Sequence, residues 1–221
     1  MSVNQRELWA GRITIETGWA HYYGPVGDTK SHAHYATQLV FSPRIEIIGA
    51  RIIPSGTRHM IRATQQPRHV LFIEPKIFDA IHSQLELTDQ ISSAQSWVEL
   101  LRAQSGRVNS TRLEPVLTLA HGSIPPGYSA HDAADLLGLS RSHFSSVFRK
   151  TMGLPFRQWV LWKRLNQAVR MVLSGSDHTR AAYQAGFADS AHLARTMKRM
   201  FGIPLRATRL SVAPNDLLAD M

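Results

Sequence analysis

The sequence predicts an α+β protein in which a β-rich first half is followed by an all-α second half. Three observations support this class. Residues 1–75 form short extended runs separated by turn residues, apolar residues recur at helical spacing from Pro75 onward, and one helix–corner–helix pattern occurs twice near the C-terminus. The chain has 221 residues, of which 43% are hydrophobic and 19% charged. This length and composition allow two modest globular domains.

The first 75 residues are predicted to form strands. Residues 12–16 alternate between polar and apolar side chains, and residues 19–23 are rich in β-forming residues. The continuous apolar run 70–73 is typical of a fully buried strand. Residues 24–28 contain two glycines and a proline, so we expect them to form a loop.

Three histidines and one glutamine form a candidate site in this β-rich half. His32 and His34 are two residues apart, so they lie on one side of a strand, and Gln38 shares that face. A turn over 54–59 delivers His59. This set could bind a divalent metal, line a polar effector pocket, or consist of exposed and hydrogen-bonded structural residues. The residues alone leave these three interpretations open.

Two helices and a linker are expected next. Residues 93–104 and 113–119 have helical apolar spacing, and their stripes could simply cover the β half. Residues 122–127 contain two prolines between glycines, which stop a helix. We therefore predict a β-rich domain with packing helices over 1–121, a linker over 122–127 and a helical domain over 128–221.

The first helix pair begins at Ser129, an N-cap residue, and turns at Gly138. Ser140 then caps a second helix, whose apolar residues Phe144 and Phe148 share one face. The opposite face must point outward. Two helices joined by a tight corner in this way are typical of a helix-turn-helix unit.

The same pattern is repeated downstream. Residues 133–139 align with 181–187 at an offset of 48, whereas 152–155 align with 201–204 at an offset of 49. This difference predicts one residue inserted inside the second outward helix. Between the copies lies a predicted helix of about 18 residues, roughly 27 Å long. Such a rod could hold both outward helices over successive major-groove faces, because one turn of B-DNA spans roughly 34 Å.

The charge distribution favours a polyanionic partner for the second half. Residues 1–121 carry 12 Lys and Arg against 10 Asp and Glu, whereas 122–221 carry 13 against 6. Solvated helix faces would explain the charge alone, but charge and repeat together favour DNA. There are no cysteines, which excludes disulfides and thiolate sites. We see no secretory leader or long apolar run, so we expect a cytoplasmic protein without membrane contact.

Residues 123–209 resemble the DNA-binding domain of AraC/XylS-type transcription regulators. The resemblance rests on GLSRSHFSSVFRKTMGLP, on RLNQA in the connecting helix and on AGFADSAHLARTMKRMFGIP. It implies a sequence-specific DNA-binding transcription regulator, activator or repressor, with two helix-turn-helix units joined by a long helix. The resemblance places six positions at base edges: Ser142, Ser145, Ser146, Ser190, Ala191 and Arg195. Their neighbours Arg141 and His143 are further candidates for base contacts. Outward helix ends carry the expected phosphate contacts, Arg149, Lys150, Lys198 and Arg199.

The histidine motifs resemble those of the cupin β-barrel, the fold that many AraC-type sensors use. In metal-binding cupins the positions of His32, His34 and His59 are ligands, together with a glutamate that is Gln38 here. The resemblance implies a cupin-like sensor barrel with packing helices and a small-molecule effector. The resemblance to AraC/XylS-type regulators also implies promoter or operator DNA, RNA polymerase and a second copy of the chain as candidate partners.

The alternative is a cupin-type enzyme fused to a DNA-binding domain, with a catalytic metal such as Fe or Mn on the histidines. We rank the regulator higher and expect no enzyme, because the sequence shows no catalytic triad, phosphate-cradling loop or suggestively spaced carboxylate pair.

Overall fold

A computed structural model describes residues 11–41, 50–85, 94–104, 112–202 and 205. The chain divides into two compact units, Met1–Ser105 with Met197–Met221, and Gly106–Thr196. The division therefore lies before the predicted linker and again near the end of the last helix. The domain limits predicted from sequence remain a prediction.

The first unit contains one five-stranded antiparallel sheet with the strand order β1-β2-β5-β3-β4. Its strands are β1 (Arg12–Glu16), β2 (Trp19–Val26), β3 (Thr37–Phe41), β4 (Ala50–Ile53) and β5 (Thr64–Ile73). The longest strand, β5, lies at the centre of the sheet, between β2 and β3. The β-rich first half is as predicted, whereas its closure into a cupin-like barrel stays a prediction.

Two helices, α1 (Pro75–Leu85) and α2 (Ala94–Gln104), share a hydrophobic core with the sheet. From β5, Leu71 and Ile73 are fully buried in this core, where they meet Ile81 of α1 and Trp97 of α2. Burial of such apolar surface is the main stabilising term of the unit. The buried strand predicted over 70–73 and the helix over 93–104 are confirmed, except that position 93 lies outside the described residues.

Two local predictions in the β half are wrong. Residues 24–26, expected in a loop, continue β2, because a shift in register between Gly24 and Val26 accommodates the glycine and proline. His32 and His34 do not lie on a regular strand. His32 instead forms an isolated antiparallel bridge with His59. The expected face-sharing by alternation therefore does not explain how the histidines meet.

The helices of the second half are α3 (Glu114–Gly122), α4 (Ala130–Leu136), α5 (Arg141–Met152), α6 (Phe156–Leu173), α7 (His178–Gln184) and α8 (Ser190–Phe201). The 18 residues of α6 match the predicted connecting helix. Its buried stripe includes Leu165, Ala168 and Val169, as the spacing predicted. Within the described residues, no helix is long and apolar enough to cross a membrane.

Side-chain caps fix the starts of the helices in both pairs. The Ser129 side chain accepts from the amides of His131 and Asp132. The Asp132 carboxylate in turn accepts from the Ser129 amide, so α4 begins with a capping box. Ser140 caps α5 by accepting from His143 N. Both predicted N-caps are confirmed. Asp177 caps α7 in the same way, through the amides of Thr179 and Arg180.

The extra residue of the second pair lies in the corner, which corrects the prediction that it lies inside the outward helix. Both α5 and α8 have 12 residues. Ser140, which caps α5, corresponds to Asp189, whose carboxylate accepts from His192 N at 2.5 Å. Ala188 is thus the inserted residue, between the corner and the cap. A corner loop lengthens at lower cost than a helix, where an insertion would rotate every later side chain by about 100°.

Candidate DNA interface and histidine cluster

The outward face of α5 is polar and exposed. Phe144 and Phe148 are buried on the other face, and Val147 is half-buried. This orientation follows from the spacing of the apolar residues and leaves the candidate base-reading positions in solvent. These exposed residues are Arg141, Ser142, His143, Ser145 and Ser146. Ser145 Oγ donates to the carbonyl of Arg141 at 2.8 Å, so its hydroxyl is turned toward its own helix.

The outward face of α8 follows the same arrangement with different side chains. Ala191 and Arg195 are exposed and Ser190 is half-buried, while Leu193 and Met197 are buried beneath them. Because both helices start at matched caps, each α5 position corresponds to the α8 position 49 residues later. Arg195 thus occupies the position that Ser146 has in α5. The longest candidate base-reading side chain of α8 replaces one of the shortest in α5.

Each outward helix ends in two exposed cations. These are Arg149 and Lys150 on α5 and Lys198 and Arg199 on α8, so the pairs match at the offset of 49. Cations in a last helical turn also interact favourably with the helix dipole. Their positions therefore have a structural benefit as well as the predicted role as phosphate contacts.

The first unit holds the second candidate site, a cluster of three histidines. One ring nitrogen each of His32, His34 and His59 lies within 4.8 Å of the others. His32 and His34 are each only 4% exposed, and His59 is half-buried. The two strand-like segments that carry them pair at His32 and His59, through amide–carbonyl bonds of 2.9 Å in both directions. The predicted convergence of these residues is thus present in the structure.

All three rings direct Nδ1 at a backbone carbonyl two residues away. His32 Nδ1 donates to Lys30 O at 2.8 Å, His34 Nδ1 to Ala36 O at 2.9 Å and His59 Nδ1 to Thr57 O at 2.9 Å. A neutral imidazole carries one proton, so these bonds leave Nε2 of each ring as a lone-pair donor. The protein thereby fixes both the tautomer and the ring orientation, as backbone carbonyls do around ligating histidines in metalloproteins.

Gln38 is fully buried beside this cluster, 3.1 Å from His34 through its Oε1. Its Nε2 has no hydrogen-bond partner within the described part of the chain. The two amide atoms are nearly indistinguishable in shape, and turning the amide over makes Gln38 a donor to His34 Nε2. That orientation fits a neutral His34 without a bound ion, whereas an ion on His34 Nε2 requires the Gln38 oxygen to face the cluster.

Burial favours the uncharged form of His32 and His34. Desolvation, followed by the nearby His59, lowers the pKa of His34 to about 4. Burial also lowers the pKa of His32. Uncharged imidazoles are what a metal ion requires of histidine.

The residues fit a divalent transition metal. His59 Nε2 lacks a hydrogen-bond partner among the residues that the structure describes, so its lone pair is available to an ion. Three imidazoles suit Zn²⁺, Cu²⁺, Ni²⁺ or Fe²⁺, whereas Mg²⁺ and Ca²⁺ prefer oxygen ligands. Gln38 supplies at most a neutral oxygen, so such a site would have three strong ligands and an open position. A small polar molecule hydrogen-bonded by the rings remains the other occupant that fits.

Sequence reasoning missed the residues that surround this cluster. Phe201, the last residue of α8, lies with its ring 5.8 Å from that of His34 and 5.4 Å from that of Phe72. The next residue, Gly202, accepts a hydrogen bond from Lys30 N at 3.4 Å. These residues belong to the same compact unit as the histidines. The motif that ends the repeat identified Gly202 as a helix stop, but it gave no signal of this contact.

Comparison with known proteins defines the class of the helical half. Residues 133–211 match the helix-turn-helix domain family. Over 139 residues the chain is 27% identical to YbfI of Bacillus subtilis (strain 168), an uncharacterised helix-turn-helix-type transcriptional regulator. The match covers 62% of this chain and 49% of YbfI, so the chain spans about half the length of this curated relative.

Two solved structures are similar to parts of this chain. Apo ToxT from Vibrio cholerae is 10% identical over 90% of this chain and 99% of that chain, with a TM-score of 0.53. An AraC-type transcriptional regulator from Chromobacterium violaceum is 24% identical over 44% of this chain and 88% of that chain, with a TM-score of 0.42. The predicted resemblance is confirmed over the helix-turn-helix region, because residues 133–211 match that domain family.

Proposed function

We propose that this chain is a sequence-specific DNA-binding transcription regulator that responds to an effector in its β half. The observation that carries the proposal is the repeated helix pair, whose outward helices both expose polar faces that end in cations. Residues 128–221 would act as the DNA-binding domain, with α4–α5 and α7–α8 as two helix-turn-helix units. The unit over 1–121 would act as the cupin-like sensor, in a protein that works in the cytoplasm.

Base recognition in this proposal depends on the outward faces of α5 and α8. Arg195 is long enough to donate twice to a guanine, a contact that contributes about 1 to 3 kcal/mol of discrimination. On α5, the serines 142, 145 and 146 are short, so that helix would recognise DNA through water, through groove shape, or through Arg141 and His143. Ser190 and Ala191 are small enough for close approach of α8 to the groove.

Four cations are the proposed phosphate contacts, namely Arg149, Lys150, Lys198 and Arg199. They add affinity that is independent of sequence, because each neutralised phosphate releases counterions. RNA polymerase and a second copy of the chain are further proposed partners, on the resemblance to AraC-type regulators.

The effector site in this proposal is the cluster of His32, His34, Gln38 and His59. Three rings with fixed Nδ1 atoms offer convergent Nε2 lone pairs to one small occupant. If a metal is resident, it supplies a Lewis-acidic centre, and the three rings hold and orient it.

The test compares three alanine variants on the same operator, which is first located by genomic footprinting. Arg195→Ala should weaken operator binding by about 1 to 3 kcal/mol and leave binding to random DNA unchanged. Lys198→Ala should weaken both equally, and Ser146→Ala should have little effect. If Arg195→Ala lowers operator and random binding to the same degree, Arg195 is a phosphate contact and its assignment to a base is wrong.

The histidine cluster also supports the second candidate, a metal-dependent enzyme with a DNA-binding appendage. This alternative needs a stoichiometric Fe or Mn and turnover of a substrate. Elemental analysis of protein purified without a histidine tag distinguishes the enzyme from the regulator. Protein that contains neither iron nor manganese and still binds its operator is a regulator.

A further inference from the structure

The C-terminal end of α8 lies directly against the histidine cluster. A Cβ atom added at Gly202 would lie 2.8 Å from His32 Nδ1, 2.8 Å from Lys30 O and 2.8 Å from Thr29 Cβ. Gly202 has a φ of 70°, so both its backbone conformation and its surroundings require glycine. The backbone of α8 is thus packed on the segment that positions His32.

A continuous chain of bonds connects the ring of His32 with the end of the helix. His32 Nδ1 donates to Lys30 O, and Lys30 N donates to Gly202 O. Phe201 makes a second connection, because its ring packs against those of His34 and Phe72, which also pack against each other. Any shift of the two imidazoles is therefore felt at residues 201 and 202.

Metal binding sets the distances between the ring nitrogens. Nitrogens that bind Zn²⁺ at about 2.1 Å in a tetrahedron lie about 3.4 Å apart. The three ring nitrogens now lie within 4.8 Å of one another. Ring nitrogens at the far end of that range must therefore approach each other by up to about 1.4 Å when an ion binds. A packed contact responds to such small displacements by changing its arrangement, because interiors are close-packed.

We propose that a divalent transition-metal ion held by His32, His34 and His59 is a regulatory ligand, and that Gly202 and Phe201 transmit its presence to α8. Arg195, the proposed base-reading residue, lies six positions before Phe201 on the same helix, or about 9 Å along its axis. The proposal builds on the proposed function only in assigning α8 to DNA. Coupling between ion and helix end stands or falls without DNA.

The first half of the molecule's own repeat supplies a matched control. Gly153 ends α5 with a φ of 78°, in the position that Gly202 has after α8. A Cβ at Gly153 would have no heavy atom within 4 Å among the described residues. Alanine therefore introduces comparable backbone strain at both glycines, but it disturbs the histidine cluster only at Gly202.

The experiment uses the full chain without a histidine tag and adds Zn²⁺ alone, with Mg²⁺ as the negative control. Calorimetry measures stoichiometry and affinity, and hydrogen exchange measures protection of residues 197–202 against 148–153. Wild type should bind one Zn²⁺ and gain protection of about 5-fold or more at 197–202 only. His59→Gln should lose about 10-fold or more of the affinity, together with that protection.

Gly202→Ala should still bind one ion but lose both the protection and, by thermodynamic reciprocity, about 5-fold or more of the affinity, while Gly153→Ala behaves as wild type. If Gly202→Ala lacks the wild-type helical circular dichroism, Phe201→Leu replaces it under the same criteria. Absence of equimolar Zn²⁺ overturns the proposal, and so does Zn²⁺ binding without a change at 197–202. Neither result affects the proposed function, which the operator measurements test separately.

Discussion

The two helix pairs share one backbone design but differ in several of the side chains that it carries. Gly138 and Gly186 turn the corners with φ values of 63° and 77°. The following amides, Leu139 N and Phe187 N, each donate at 2.9 Å to the carbonyl five residues earlier. Both outward helices then run for 12 residues. A glycine corner, a side-chain cap and a buried face are thus sufficient to specify the pair, and the outward residues remain free to diverge.

Three differences separate the pairs. The first has an aromatic core of Phe144, Phe148 and Phe156, whereas the second has Leu193 at the position of Phe144. Within the described residues, Arg164 of α6 hydrogen-bonds to the second corner and not to the first. The stop glycine lies in open space after α5 and against other residues after α8.

The largest expected effect comes from the cores. Phe144→Ala should destabilise the chain by about 3 to 5 kcal/mol, and Leu193→Ala by about 2 to 5 kcal/mol. Both side chains are fully buried, and each truncation leaves a cavity. Urea unfolding measures both. A markedly smaller loss for Leu193→Ala would show that the second pair relaxes around the cavity and is the more plastic of the two.

Next in size is the support of the second corner. Arg164 Nη1 donates to Gly186 O at 3.4 Å, and its Nη2 donates to Pro125 O at 3.3 Å. Arg164→Met should destabilise this corner by about 1 kcal/mol and speed amide exchange at Gly186 and Phe187. Exchange at Gly138 and Leu139 should not change, because Arg164 does not contact that corner in the described structure. Arg157→Met, an exposed change on the same helix, is the control.

Phosphate contacts compare how the pairs engage DNA. Lys150→Ala on α5 and Arg199→Ala on α8 should each reduce the slope of log affinity against log salt concentration by about 1. Titrations over a range of salt concentrations with a fixed duplex give both slopes. A change for one variant alone would mean that a single pair touches the backbone at that site, which breaks the symmetry that the repeat predicts.

The smallest expected effect concerns the caps. Hydrogen bonding to the amide of Arg180 holds the pKa of Asp177 below its usual range. The unfolded chain therefore binds a proton at higher pH than the folded one, so the cap stabilises above the ordinary Asp pKa and is lost as pH falls through the lowered value. Thermal melts should show this acid sensitivity reduced in Asp177→Ser. Ser140→Ala should lower the melting temperature without changing the pH dependence, since serine does not titrate.

Much of the helical half could be predicted because its signals are local. The caps Ser129 and Ser140, the corner at Gly138 and the length of α6 each follow from a few neighbouring residues and from apolar spacing. The position of the inserted residue could not be predicted in the same way. Alignment alone does not distinguish an insertion in the corner from one in the helix, whereas the cap made by Asp189 does.

The sequence predicted which histidines come together, but not how the backbone holds them. The motif brought His32, His34 and His59 together, yet alternation along a strand was the wrong reason. The carbonyls of Lys30 and Thr57 and the bridge between His32 and His59 hold the rings instead. Contacts between residues 170 positions apart, such as those of Gly202 with His32, leave no trace in local spacing.

The glycine that closes each outward helix has one further consequence. Because the stop occurs twice, one copy preserves the original requirement of ending a helix, and the other can acquire a contact without any loss of that requirement. Gly153 thus serves as an internal reference for a glycine that only ends a helix, against which any additional effect of Gly202 can be measured in one polypeptide.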